Sequence, residues 1–251
     1  MNDPARISNL LDYQIWNLDR HQLGEVDDMV INLTTQHIDY ILIQVGGLLS
    51  IGERLIPVPW NGLILQADQT GVIKDPAFYI NVRKETLENA PAVEVDALSD
   101  VNNPDWDAEF RSYWNNELGE VSETEATTPI PQTDTQGIQG LSLAENLLEY
   151  TIQDVDDVTV GEIADLIIDT QHGEVLYALI SAGGVLGIGE RLIPVPLEVM
   201  RMGSTEGVLA VPVQEASLAG APSFDPGNFP NASATDWDAG IRQYWESLNI
   251  P

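Results

Sequence analysis

The sequence predicts a mainly β protein with two small β-barrels in tandem, each closed by a short C-terminal aromatic helix. Three observations support this prediction: a long internal repeat, short β-favouring runs separated by Gly and Pro, and aromatic residues near the end of each copy. The chain has 251 residues. That length suits one large domain or two small ones, if a domain averages roughly 150 residues.

The internal repeat is the strongest signal. Residues 51–59 recur without a single change as residues 188–196, at an offset of 137. Further along, the offset falls to 131, where residues 105–108 match residues 236–239 as Asp-Trp-Asp-Ala. Nine identical consecutive residues indicate a duplication. The chain therefore divides into a first copy (1–116), an acidic linker containing Pro and Thr (117–140) and a second copy (141–251).

Each copy contains a predicted β-hairpin. Runs of β-favouring residues from 26 to 31 and from 38 to 45 flank a polar stretch in the first copy, as do 163–168 and 175–180 in the second. The second turn carries Gly173, whereas the first has Gln36 at the same position, so we expect the first hairpin to turn differently. The Pro-Val-Pro segment of each copy suits an edge or terminating strand, since proline cannot donate to a β-ladder.

A helix is predicted at the end of each copy, over residues 105–116 and about 235–248. Asp107 and Asp238 suit the positive end of the helix dipole. A spacing of four residues places three large apolar side chains on one face of each helix. These six residues are the interface candidates: Trp106, Phe110, Trp114, Trp237, Ile241 and Trp245. The faces either cap their own barrel or dock onto another copy, in the same chain or a neighbour.

These residues resemble the PRC-barrel family, named for the cytoplasmic domain of the photosynthetic reaction-centre H subunit and also present in ribosome maturation factors. The second copy matches best, in residues 161–169, 177–180 and 189–196. The first copy has Asn32 where the family often has Asp. The resemblance implies two PRC-type β-barrels used as docking or assembly modules, with no common catalytic constellation.

The net charge disfavours nucleic acid as a partner. Ten basic residues against 40 acidic ones give a net charge of −30, and only two of the ten are lysines. Nucleic-acid binding is disfavoured, because affinity for the phosphate backbone comes largely from Lys and Arg. The acidity is spread over both copies. It is consistent with halophilic adaptation, with a solubility role or with a basic protein partner.

The sequence offers weak support for catalysis or metal binding. Cysteine is absent, and His21, His37 and His172 occupy no shared position between the copies. The Glu-Arg pairs at 53–54 and 190–191 occur in both copies, so each Glu is a candidate general base. An adjacent Arg would lower the pKa of that Glu and keep it ionised, and we therefore interpret the pairs as turn residues before the Pro-Val-Pro strand. The acidic run at 154–157 lacks the Gly and Glu of a calcium loop and is interpreted as a solvated face. We predict no catalytic residue, metal or cofactor.

We therefore predict a non-enzymatic interaction or assembly module that forms a homo-oligomer, as a ring or a filament, with a basic protein as a second class of partner. The alternative is an enzyme or small-ligand carrier using a pocket between the barrels. No apolar run reaches the roughly 20 residues that span a bilayer, so membrane insertion is not expected. No signal-peptide pattern opens the chain, and we expect a cytoplasmic location.

Overall fold

The computed structural model describes residues 4–45, 54–66, 76–94, 98, 106–119, 138–183, 190–205, 207–227 and 236–250. Strands dominate these residues, which confirms the mainly β prediction. The repeat reappears as two halves with matching elements. The predicted linker lies mostly outside the described residues, and its boundaries stay a prediction.

The first half contains eight strands and two α-helices within its described residues. The strands are β1 (Pro4–Arg6), β2 (Gln14–Asn17), β3 (Gln22–Asn32), β4 (His37–Gln44), β5 (Arg54–Pro59), β6 (Leu63–Gln66), β7 (Ala77–Ile80) and β8 (Val93–Glu94). The helices are α1 (Lys84–Glu88) and α2 (Ala108–Leu118). Short 3-10 turns, Ile7–Asn9 and Trp60–Gly62, follow β1 and β5.

The second half repeats this order over its described part. Its strands are β9 (Leu141–Leu143), β10 (Thr151–Gln153), β11 (Thr159–Asp169), β12 (Glu174–Ala182), β13 (Arg191–Pro196), β14 (Arg201–Met202) and β15 (Val208–Ala210). Its helices are α3 (Ala144–Leu148), α4 (Glu215–Gly220) and α5 (Ala239–Ser247), and a 3-10 turn spans Leu197–Val199.

Both predicted hairpins are present, as β3–β4 and β11–β12. Each long first strand carries register shifts at matching places, the first of them between Val26 and Asp28 and between Ile163 and Asp165. A Cβ on Gly161 would lie 2.0 Å from the Ser181 carbonyl oxygen, so only glycine permits this close approach of the two strands. Gly24 occupies the equivalent place in the first half.

The expectation that the two hairpins turn differently is wrong. Gln36 has φ 60° and Gly173 has φ 75°, so both occupy the left-handed region at the same turn position. The first turn therefore places a glutamine in a conformation that favours glycine. Gly173 has a second reason to lack a side chain, because a Cβ there would lie 2.7 Å from the Trp60 ring of the other half.

The strand pairing forms one path through both halves. The order is β6-β7-β2-β3-β4-β12-β11-β10-β15-β14, with β5 paired to β4 and β13 to β12. The second half of this path repeats the first half in reverse, strand for equivalent strand. Within the described residues the path does not join its own ends, so the sheet is open.

The two halves exchange their N-terminal segments. We name residues 4–10 the first arm and residues 141–148 the second arm. Strand β1 of the first arm pairs with β11 of the second half, from Pro4 opposite Asp169 to Arg6 opposite Ile167. Strand β9 of the second arm pairs with β3 of the first half, from Leu141 opposite Asn32 to Leu143 opposite Val30. The two registers are identical under the 137-residue offset.

A local two-fold axis relates the halves. Strand β4 meets β12 in antiparallel pairing at one position, His37 opposite Glu174, and these two residues are equivalent in the repeat. The Ile38 amide donates to the Gly173 carbonyl at 2.9 Å, and the Val175 amide donates to the Gln36 carbonyl at 2.7 Å. Because a residue faces its own equivalent there, the contact has the geometry of an isologous interface.

The hairpin turns provide a matched stability test. Gln36→Gly should raise the free energy of unfolding by about 0.5–1 kcal/mol, because it removes left-handed strain without removing a buried side chain. Gly173→Ala should lower it by about 2–4 kcal/mol, through the same strain and through the contact with Trp60. Urea denaturation of both variants measures this. If Gly173→Ala lowered the free energy of unfolding by no more than Gln36→Gly raised it, the role assigned to Trp60 would be contradicted.

Candidate functional site

Both aromatic helices begin later than predicted, at Ala108 and Ala239, and they end at Leu118 and Ser247. Asp107 and Asp238 precede them, but neither carboxylate accepts a hydrogen bond from a first-turn amide. Asp107 instead accepts from Arg111, and Asp238 from Arg242 one turn along. Both aspartates thus lie at the positive end of their helix, as predicted, and their oxygens bind side chains there.

One tryptophan fastens each helix to its own half. The Trp114 side chain is fully buried, and its Nε1 donates to the Pro57 carbonyl oxygen at 2.7 Å. Trp245 does the same to the Pro194 carbonyl oxygen at 2.9 Å. The repeated Pro-Val-Pro strand thus supplies the acceptor for the repeated tryptophan.

A buried tyrosine completes each helix contact. Tyr177 Oη donates to Asp238 at 2.7 Å, and Tyr40 Oη donates to Asp107 at 3.4 Å. Burial raises the pKa of both phenols, which keeps them protonated as donors. These tyrosines lie on β4 and β12, so the helix start is tied to the central hairpin.

The remaining interface candidates pack beside these tyrosines. The Trp106 and Tyr40 ring centroids are 5.7 Å apart, as are those of Trp237 and Tyr177. Phe110 and Ile241 are buried, at 5% and 2% exposure. Each helix face therefore contacts its own half in the single chain. Assembly through these faces stays a prediction.

The second candidate site is the junction where each arm meets the other half. A buried aspartate lies at its centre on each side, Asp165 in β11 and Asp28 in β3, at equivalent positions of the repeat. Asp165 is 0% exposed and accepts from Arg6 Nε at 2.6 Å, from the Ser8 amide at 3.2 Å and from the Ser8 hydroxyl. Both of those residues belong to the first arm.

Asp28 has fewer partners. Its Oδ1 accepts from the Met29 amide at 2.7 Å and from the Glu145 amide of the second arm at 3.2 Å. Leu143 stands where the first arm has Arg6. Burial raises the pKa of Asp28 to about 6, and the nearby Glu145 and Asp27 charges add to the shift.

Apolar side chains make up the rest of the junction. Both arms carry fully buried apolar residues, and one contiguous cluster of buried side chains includes members of both arms and both halves. The arm residues in this cluster are Ile7, Leu10, Ala144 and Leu147. The two halves therefore share one apolar core. Burial of apolar surface contributes roughly 25 cal/mol per Å² to the stability of such a core.

His37, His172 and the acidic run 154–157 form hydrogen bonds with residues close to them in sequence. His172 Nδ1 lies 2.8 Å from Asp169, and His37 Nδ1 lies 2.7 Å from the Thr35 carbonyl oxygen. Asp154 accepts from the Val158 and Asp156 amides, and these backbone bonds lower its pKa. Among the residues that the structure describes, no group of three or more His, Asp or Glu side chains could hold a metal ion.

Glu190 and Arg191 form hydrogen bonds to the end of β12 and to residues 219–223. Glu190 accepts from the Ser181 hydroxyl at 2.6 Å. Arg191 donates to the Ser223 hydroxyl at 2.9 Å and to the Ala219 and Ala221 carbonyl oxygens at 3.3 Å. These contacts favour the structural interpretation of the pair. The side chains of its counterpart, residues 53–54, lie outside the described part of the chain.

Comparison with protein families gives a direct result. A family model described as the PRC-barrel domain matches residues 3–87 and 140–214, more than half of the chain. The chain belongs to this family. Each PRC-barrel match includes an arm and the hairpin that follows it. A search of curated proteins finds no match. Separately, no helix in the described ranges is long and apolar enough to cross a membrane.

Sequence reasoning missed the exchange of arms. The two arms have few identical residues at equivalent positions, so the repeat does not indicate that they have a common role. One signal was present: Asp28 and Asp165 recur at the same place inside apolar strands. A carboxylate in such a position needs hydrogen-bond donors from elsewhere, and the arms supply them.

The helix tryptophans allow a test of their role. Trp114→Ala and Trp245→Ala should each lower the free energy of unfolding by about 3–5 kcal/mol, because each leaves a large cavity. The matched Trp→Phe variants keep most of the ring and should lose about 1 kcal/mol with the hydrogen bond. Denaturation coupled to size-exclusion chromatography measures both properties. Loss of an oligomer at unchanged stability would show that the rings contact another chain.

The two junction aspartates should respond oppositely to neutralisation. The folded-state pKa of Asp28 lies above its unfolded value of 3.8, so its contribution is favourable at low pH and is lost as pH rises from about 4 to 6. Asp28→Asn should therefore stabilise the protein at pH 7–8 by up to about 3 kcal/mol, with no gain near pH 4. Asp165→Asn should destabilise at neutral pH, because it weakens the contacts of Arg6 and Ser8. Urea denaturation of both variants from pH 4 to 8 measures the difference from wild type, and a pH-independent Asp28→Asn effect would contradict this assignment.

Proposed function

We propose that this PRC-barrel protein is a non-enzymatic assembly module that self-associates, with each half forming a small barrel closed by its own aromatic helix. The observation that carries the proposal is the junction between the halves. This chain joins two copies of its fold through paired strands, buried carboxylates and apolar arms. The same surfaces can bind the complementary half of another chain when the two halves of one chain separate.

The ends of the sheet offer a second route for association. Within the described residues, β6 pairs only with β7, and β14 only with β15. Ile64 on β6 is 59% exposed and Met202 on β14 is 46% exposed. An edge strand presents unpaired backbone groups to a strand of another chain, although short strands such as these, with four and two residues, present few of them. The two ends are equivalent in the repeat and could continue a chain of copies in two directions.

The net charge opposes this association. A chain of charge −30 repels its copies over a range of about 8 Å at physiological salt. Self-association should therefore strengthen as salt rises. The same charge favours a basic protein as a second class of partner, with contacts that weaken as salt rises. We place this activity in the cytoplasm.

The enzyme and ligand-carrier alternative receives less support. One surface depression of about 430 Å³ lies beside α2, lined by Asn89, Pro91, Glu109, Ser112, Tyr113 and Asn116. It belongs to the first half alone and contains a single carboxylate. An active site of general acid–base type needs convergent titratable groups, which this depression does not bring together.

Light scattering coupled to size-exclusion chromatography tests the proposal. The protein should elute as a multimer whose mass increases with concentration and with salt from low to high ionic strength, because salt screens the acidic surfaces. A monomer at every salt and every concentration would reject self-association. Basic proteins would then be the remaining class of partner to test.

A further inference from the structure

The junction itself indicates how copies of this chain associate, which rests on the proposed function and deepens it. We propose that the protein self-associates by exchanging whole halves: the first half of one chain pairs with the second half of another, through the same arms and the same β4–β12 contact. The partner is a second copy of this chain. The surface is the one that joins the halves within a single chain.

The exchanged form makes the same contacts between halves as the closed single chain. Every cross-half contact described above joins a residue before 119 to a residue after 138. The two segments are joined by the linker and by no other covalent bond, since cysteine is absent. A second chain can therefore supply the opposite half with the same strand register, the same buried carboxylate contacts and the same core.

Whole halves exchange, and not single arms. The connection between the first arm and β2 is held to its own half, because the Asp12 amide donates to the Val26 carbonyl at 2.9 Å and the Val26 amide donates to the Tyr13 carbonyl at 2.8 Å. The second connection repeats this with the Ile163 amide and the Tyr150 carbonyl at 3.0 Å. Each arm therefore moves with the half that carries it.

The linker decides between the closed and the exchanged form. Two halves joined by a short linker experience an effective concentration on the order of millimolar, so the closed chain dominates at low protein concentration. Exchange becomes competitive when protein is concentrated or is refolded at high concentration. Reciprocal exchange closes a dimer, whereas continued head-to-tail exchange forms a larger ring or a filament.

A cysteine pair at the axis reports which chain supplies each half. His37 and Glu174 are directly opposite, and the flanking backbone bonds make them a non-hydrogen-bonded pair. Such pairs have Cα atoms about 4.5 Å apart, within the range that a disulfide accepts. Glu174 is exposed and His37 is half-buried, so His37→Cys with Glu174→Cys changes little of the core.

The control pair has the same geometry inside one half. Gln14 and Glu25 are opposite across β2 and β3, are both exposed, and are also a non-hydrogen-bonded pair. Gln14→Cys with Glu25→Cys should form a disulfide within one chain in every assembly state. The wild-type chain provides no background, because it has no cysteine.

The experiment oxidises each variant after refolding from urea at low and at high concentration, then separates monomer from multimer by size-exclusion chromatography. Half exchange predicts that most His37→Cys/Glu174→Cys chains in the multimer run as covalent dimers or longer species on a non-reducing denaturing gel. Those in the monomer should run as compact single chains. The control pair should run as single chains from both fractions.

Two outcomes would overturn the inference, and they differ in what else they overturn. A multimer with the axis disulfide only within single chains would reject half exchange and leave self-association through another surface. The absence of any multimer, even after refolding at high concentration, would reject both half exchange and the proposed function.

Discussion

Each half of this protein leaves part of its central hairpin to be completed by a strand from the other half. β1 completes β11 and β9 completes β3, so each arm is covalently attached to one half and hydrogen-bonded to the other. Neither half can satisfy its backbone groups there alone, and unsatisfied buried groups are costly. The buried aspartates accept hydrogen bonds from these arms, and the shared core includes apolar residues of both arms.

The two halves satisfy this common geometry unequally. Asp165 binds an arginine and a serine, whereas Asp28 is held by two backbone amides and keeps a raised pKa. At the hairpin turns, Gly173 suits its left-handed conformation and Gln36 does not. After duplication, each copy faces a different neighbour. The symmetric positions therefore carry different residues, although the backbone keeps the symmetry.

The aromatic helices contact their own half, whereas the arms contact the opposite half. Each helix bonds to the Pro-Val-Pro strand and the hairpin tyrosine of its own half. Each arm bonds to the opposite half. Each half is held together by its own strand pairing and by its aromatic helix, whereas the halves are joined by the two arms and by the β4–β12 contact. Within the described residues, the halves are therefore joined through the arms and the central strands, and each aromatic helix contacts its own half.

The sequence alone determined the duplication, the mainly β class, the two hairpins and the family, because these follow from local patterns such as the repeated residues 51–59 and 188–196. It also selected Trp114 and Trp245 from their spacing, without identifying the proline carbonyls that bind them. Only the tertiary structure decided the arm exchange, the axis at His37 and Glu174, and the partners of Asp28 and Asp165. The arm and axis contacts join residues more than 100 positions apart, largely through main-chain groups that every residue carries. The local sequence of an arm therefore does not indicate its partner, and the repeated Asp28 and Asp165 indicate only that donors must come from elsewhere.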